Sequence, residues 1–192
     1  MIAYINDLIF KRKLLTVILI VVLGQAIASP LSYCQNQTYA EYDLKAAFIY
    51  NFTKFIEWPN ENKNNKPAMI VGIIGKDPFG PSISSIGGKN VRGKKLIIKD
   101  IEYLDNIREC DVLFIAASEK HRLKNILKYL VAKPILTIAD TETFGERGVI
   151  INLYIENDKV KFEINAEAAR KAGLKINPNL MMLGKLVKSR QN

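Results

Sequence analysis

Between Met69 and Ile164 the chain alternates short apolar runs with stretches whose apolar residues recur every three or four positions. This ordering constrains the fold more than any other feature. Residues 69–74 are apolar without a break and stop at Gly75, as in a strand buried on both faces. Residues 94–101, 112–116 and 135–139 read as further strands. Turn chemistry at 75–81 leads into a short helix through Ile83 and Ile86. Ser118 caps a second helix carrying Leu123, Ile126, Leu127, Leu130 and Val131. Strand, helix, strand, strand, helix, strand predicts an α/β fold. Its core is a central, mostly parallel mixed sheet flanked by helices on both faces, a Rossmann-like three-layer sandwich. The mixing comes from residues 149–155 and 159–164, a C-terminal β-hairpin turning at Glu156-Asn157-Asp158. Two short helices follow, over 166–172 (closed by Gly173) and, after Pro178, over 180–187.

Ahead of the sheet, Thr38 to Glu41 has capping-box spacing. Leu44, Phe48, Phe52, Phe55 and Ile56 then recur at helical intervals until Pro59. Ala46, Ile49, Tyr50 and Thr53 widen the apolar face, so this helix is expected to pack on two sides. The aromatic stripe, Trp58 included, reads as core; Trp58-Pro59 at its end could instead line a pocket or an interface. Residues 60–66 form a polar loop.

The first 28 residues carry a different signal. Lys11-Arg12-Lys13 precedes an apolar run from Leu14 to Leu23, and Ala26-Ile27-Ala28 follows. These are the three parts of a secretory signal peptide, with cleavage expected after Ala28. The apolar run is shorter than the ~20 residues that span a bilayer; an uncleaved anchor and a lipidated Cys34 are the alternatives. The expected organisation is a signal peptide over 1–28, a flexible lead-in over 29–40 and one α/β domain over 41–190.

Export changes the meaning of the charge. The whole chain carries +9. Without residues 1–28 it keeps 25 Lys and Arg against 18 Asp and Glu, spread along the sequence, so nucleic acid is not an expected partner. Cys34 and Cys110 would lie in an oxidising compartment, either as a disulfide or as two free thiols. Catalytic chemistry is poorly provided for. His121 is the only histidine and sits in a Lys- and Arg-rich turn, no metal-ligand spacing exists, and no nucleophile elbow or phosphate loop is present. No enzyme activity, cofactor or metal is expected.

Two segments carry a rarer signature. One is Leu44-Lys45-Ala46-Ala47-Phe48-Ile49-Tyr50-Asn51-Phe52-Thr53-Lys54-Phe55-Ile56-Glu57-Trp58-Pro59. The other is Phe162-Glu163-Ile164-Asn165 with Ala168-Ala169-Arg170-Lys171-Ala172-Gly173-Leu174-Lys175-Ile176 and Leu180. With Ile73 to Phe79 and Leu136 to Asp140 between them, this chain resembles the YfiR family of bacterial periplasmic proteins. The resemblance implies a self-associating α/β regulator, expected as a homodimer. It would bind and repress the periplasmic sensor domain of an inner-membrane diguanylate cyclase, lowering cyclic di-GMP signalling and biofilm formation. Some members pair a cysteine at the Cys110 position with one in the preceding apolar strand; residues 69–74 here contain none.

On the residues themselves, the strand and helix around Phe162 are the better candidate for a partner surface. Glu163 and Asn165 are expected on the outer face of the strand and Arg170 and Lys171 on the next helix, with Ile164 or Leu174 as apolar anchors. A solvated outer face is the alternative. A small-ligand-sensing module for a membrane sensor kinase or cyclase is the competing function. Its crevice is expected at the carboxyl ends of the strands, near Gly75–Phe79, Ala116–Ser118 and Asp140.

Overall fold

The structure, a computed structural model, describes residues 29–59 and 66–190, with side chains from Ala40 onward. The expected signal peptide and the side chain of Cys34 lie outside the described residues. The chain divides into two units, Met1–Ala40 and Glu41–Asn192, and the second contains the whole α/β fold.

Helix α1 (Ser29–Phe55) enters this unit at Glu41. Its backbone is helical from Ser29, where a flexible lead-in is expected; Pro30 is in the first turn, which needs no N–H from it. The buried face is Lys45, Ala46, Ile49, Phe52 and Thr53, continued by Ile56, while Leu44 is exposed and Phe48 half-buried. The stripe is thus rotated from the expected one, because a polar Lys45–Asp140 contact, absent from apolar periodicity, lies within the buried surface.

After α1 the chain runs β1 (Ile56–Glu57), β2 (Ala68–Ile74), β3 (Asn90–Val91), β4 (Lys94–Ile101) and β5 (Val112–Ile115). Then come α2 (Leu123–Tyr129), β6 (Leu136–Ala139), β7 (Ile151–Glu156), β8 (Lys159–Ile164), α3 (Ala166–Lys171), β9 (Lys175–Ile176), α4 (Pro178–Leu183) and β10 (Lys185–Leu186). One sheet has the order β10-β8-β7-β6-β5-β2-β4-β3. Five adjacent strands, β4-β2-β5-β6-β7, are parallel, β8 and β3 are antiparallel to their inner neighbours, and β10 runs parallel to β8. β1 and β9 form a separate antiparallel pair.

Side chains on the two faces feed two cores. Val71, Ile73, Phe114 and Ile138 meet α1 and the 3-10 turn Gly80–Ile86 on one face. Leu113, Ile115 and Ala139 meet α2 and the turn Leu104–Glu109 on the other. The result is the expected α/β sandwich of three layers. The β7–β8 hairpin turns on Asn157 (φ 52) and Asp158 (φ 57), both in the left-handed region that a two-residue hairpin of this kind requires.

The C-terminus departs from expectation. A single amphipathic helix over 180–187 is replaced by α4 and then β10, with Gly184 extended between them. A Cβ at Gly184 would lie 2.6 Å from Phe162 Cε2, so glycine allows the chain to settle directly on β8. Ser118 likewise caps no long helix: α2 begins only at Leu123, and Ser118 Oγ accepts instead from Lys76 N at 2.8 Å.

Candidate interaction site

Taken as β2, β4, β5, β6, β7, the parallel strands have the spatial order second-first-third-fourth-fifth. A doubly wound sheet of this order opens a crevice at the carboxyl ends of its first and third strands, here β2 and β5. That crevice is closed by the chain itself. Gly75, at φ 95, brings the loop after β2 so near the loop after β5 that an added Cβ would lie 2.4 Å from Ser118 Oγ. Phe79 is buried with its ring edge-on to Phe114 (4.7 Å) and to Tyr42 of α1 (5.3 Å).

The closure is locked at Asp140, just past β6. Its Oδ2 accepts from Tyr42 Oη at 3.0 Å and from Lys45 Nζ at 2.7 Å, and Lys45 also pairs with Glu41 at 2.6 Å. Lys45 is only 4% exposed. Burial alone would lower its pKa, but hydrogen bonds to Asp140 and Glu41 more than reverse that and leave it raised. Burial, and then the charge of Asp140, push the Tyr42 phenol up to about 12. The expected ligand crevice at Gly75–Phe79, Ser118 and Asp140 is therefore a packed junction. Beside it a depression of about 320 Å³ remains between β2 and β4, lined by Asp100, Glu102 and Glu119, with Arg122 3.3 Å from Glu119.

The loop from Asp140 to Gly148 ties this junction to the hairpin. Asn152 Nδ2 donates to Thr141 O at 3.0 Å and to Glu163 Oε1 at 3.1 Å. Thr143, a β-branched residue, is held at φ 70, and Thr141 Oγ1 and Asn152 Oδ1 are buried with no hydrogen-bond partner among the described residues. A loop that bears such strain is held by its neighbours rather than by its own preferences.

The residues expected at a partner surface divide in two. Asn165 is not on an outer face: it is 0% exposed. Its Oδ1 caps α3 by accepting from Ala168 N at 2.9 Å, and its Nδ2 donates to Gly145 O at 2.8 Å and Ser189 Oγ at 2.9 Å. The alternation of β8 ends at Ile164, and the next residue turns inward as a helix cap. Ile164 and Leu174 are buried in the core, so neither is a free anchor. Arg170 and Lys171 are exposed, Lys171 being paired with Glu167, and Glu163 is half-buried against Asn152.

Among the signature aromatics, Phe48, Phe52 and Phe162 form one cluster with centroids 5.0 to 5.8 Å apart. Phe55 and Trp58 pack against that core from its margin, and Pro59 is exposed. Cys110 is buried against Gly72 and Ile101, with no disulfide partner among the described residues. Burial, with Asp111 and Glu109, raises its pKa to about 11, far from a reactive thiolate. His121 is exposed.

An apolar patch at the end of the sheet has no counterpart among the expected surfaces. Met182 is 77% exposed, Leu183 74% and Leu186 57%, all on α4 and β10. Lys185 and Lys188 are exposed beside them. The signal was present in Leu180 to Val187, but a helical reading would have buried half of it.

Among the described residues no helix is long and apolar enough to cross a membrane. A solved structure of a conserved domain protein from Vibrio cholerae O1 biovar El Tor shares 11% identity with this chain, at a TM-score of 0.44. The match covers 62% of this chain and 55% of that one, so it spans about half of that protein's length. Residues 42–185, from Tyr42 on α1 to Lys185 on β10, match the model of a family described as YfiR/HmsC-like. That span takes in the α1 aromatic stripe, the Asp140 junction and the hairpin, and this chain belongs to the YfiR/HmsC-like family.

Proposed function

We propose that this protein is exported through a cleaved signal peptide over residues 1–28 and acts in the periplasm as a homodimer. There it binds the sensor region of an inner-membrane diguanylate cyclase and holds it inactive, lowering cyclic di-GMP and biofilm formation. Family membership supports the class of partner. The observation that carries a binding role is the exposed apolar edge of Met182, Leu183 and Leu186, flanked by Lys185 and Lys188. Apolar residues including methionine at the centre, with charge kept to the rim, are what a protein interface presents. β10 is also the terminal strand of the sheet, and an edge strand suits pairing with an added strand.

In this reading Glu163, Arg170 and Lys171 contribute a polar margin, while Ile164, Asn165 and Leu174 support it from beneath. The test is co-purification of the exported chain with the periplasmic region of a cyclase encoded beside it. Stable association, lost on Met182→Asp with Leu186→Asp, is expected. Failure of the unaltered chain to associate would contradict the proposal.

A further inference from the structure

The end of the parallel strands opposite the Asp140 junction carries a second feature. At the amino ends of β2, β5 and β6 lies an open cleft of about 280 Å³. Lys66, Lys94, Arg108 and Lys133 line it together with Trp58 and, among the described residues, a single carboxylate, Asp111. Asp111 is already engaged: its Oδ2 accepts from Ile70 N at 2.8 Å, and its main-chain oxygen accepts from Trp58 Nε1 at 3.3 Å. It therefore fixes the wall of the cleft and neutralises one charge of four.

None of the four cations is ion-paired within 4.0 Å among the described residues, although Lys45, Lys99, Arg122, Lys161, Lys171 and Arg190 all are. The ammonium groups of Lys66 and Lys94 make no hydrogen bond among the described residues either. Two of the four are positioned through one aromatic ring. Tyr129 Oη donates to Asp105 at 2.9 Å, and the ring then holds Lys133 Nζ at 3.7 Å and the Arg108 guanidinium at 5.3 Å from its centroid. Lys133 Nζ also donates to Tyr129 O. Cations held in a concave site and in excess over its carboxylates raise the local concentration of anions. Three surplus charges from lysine and arginine suit a multivalent oxyanion.

We propose that this cleft binds a phosphoryl group, as free phosphate, a small phosphomonoester or the headgroup of a phospholipid. It is separate from the partner surface proposed above and does not depend on it. Trp58 is the only tryptophan in the chain and lines the cleft, so its fluorescence reports occupancy directly.

The test is titration of the purified protein with inorganic phosphate at constant ionic strength. A saturable change in Trp58 emission is expected, with Kd of about 1 mM or tighter. Lys94→Gln, at a side chain with no partner among the described residues to lose, is expected to weaken binding about tenfold, while Lys161→Gln on the distant hairpin leaves it unchanged. Sedimentation with phosphatidylglycerol vesicles, competed by free phosphate and reduced in the Lys94→Gln protein, assigns the group to a lipid headgroup. No saturable response to phosphate, or an equal response from Lys94→Gln, overturns the proposal. So does vesicle binding that phosphate does not compete.

Discussion

The two edges of the parallel sheet are opposites. At the carboxyl edge, where a doubly wound sheet ordinarily takes its ligand, the chain has filled the crevice with Phe79 and Tyr42 and locked it through Lys45 and Asp140. The opening left there is acidic. At the amino edge the cleft is open and basic, and its cations have no counter-charges within 4.0 Å among the described residues. Fold alone would thus direct a search for an open basic cleft to the wrong end. The carboxyl edge is where stability is stored, and the amino edge is where charge is left available.

Breaking the lock gives the largest expected effect. Asp140→Ala leaves Lys45 buried without its main partner, and a loss of about 3–5 kcal/mol in urea unfolding is expected. Replacing both, as Lys45→Met with Asp140→Leu, is expected to recover most of it. A loss below about 1 kcal/mol for Asp140→Ala would mean that this edge is not held by the pair.

Next in size is Asn165→Ala, which removes the α3 cap and the ties to Gly145 and Ser189. About 2–3 kcal/mol is expected in the same assay, whereas Asn165→Asp retains the cap and costs less. An exposed interface residue, the role that strand alternation suggests for Asn165, would cost nothing measurable in the isolated chain.

Alkaline pH probes the lock more gently. Tyr42 and Lys45 both have folded pKa values above their free values. Their contribution is therefore complete below pH 10 and is lost as pH rises through the folded values, about 12 for Tyr42. Because Tyr42 is partly exposed, about 1 kcal/mol is expected from it. Unfolding measured between pH 8 and pH 11 should show the fall, and Tyr42→Phe should flatten its lower part. A Tyr42→Phe protein with an unchanged pH profile would remove Tyr42 from the account.

The smallest effect belongs to the amino edge. Lys94→Gln is expected to leave stability within about 0.5 kcal/mol, since its ammonium group has no partner among the described residues. A larger loss would make the open edge structural as well, and the contrast between the edges would fail.

Much of this architecture was readable from local pattern. The runs in β2, β5 and β6 are apolar because those strands are buried on both faces, and Asn157-Asp158 marks the hairpin because those residues tolerate positive φ. What stayed hidden depends on contacts distant in sequence. Lys45 and Asp140 are 95 residues apart, so nothing near either one announces a buried pair. Asn165 looks like the next outward residue of β8, and only its role as a cap turns it inward. β1 pairs with β9 over two residues each, and β10 exists because Gly184 can lie against Phe162. The site was less legible than the fold. Arg170 and Lys171 are at the surface as expected, but the exposed Met182, Leu183 and Leu186 were concealed by a helical reading. The basic cleft draws on residues from Trp58 to Lys133 that share no motif.

The most direct test of the regulatory reading is cyclase output. Membranes carrying a YfiN-type diguanylate cyclase would be opened to the periplasmic face, and cyclic di-GMP production followed as this protein is added. Production is expected to fall to a plateau at a fixed ratio of protein to cyclase, and not to fall with the Met182→Asp, Leu186→Asp variant. Unchanged production at saturating unaltered protein would contradict the account.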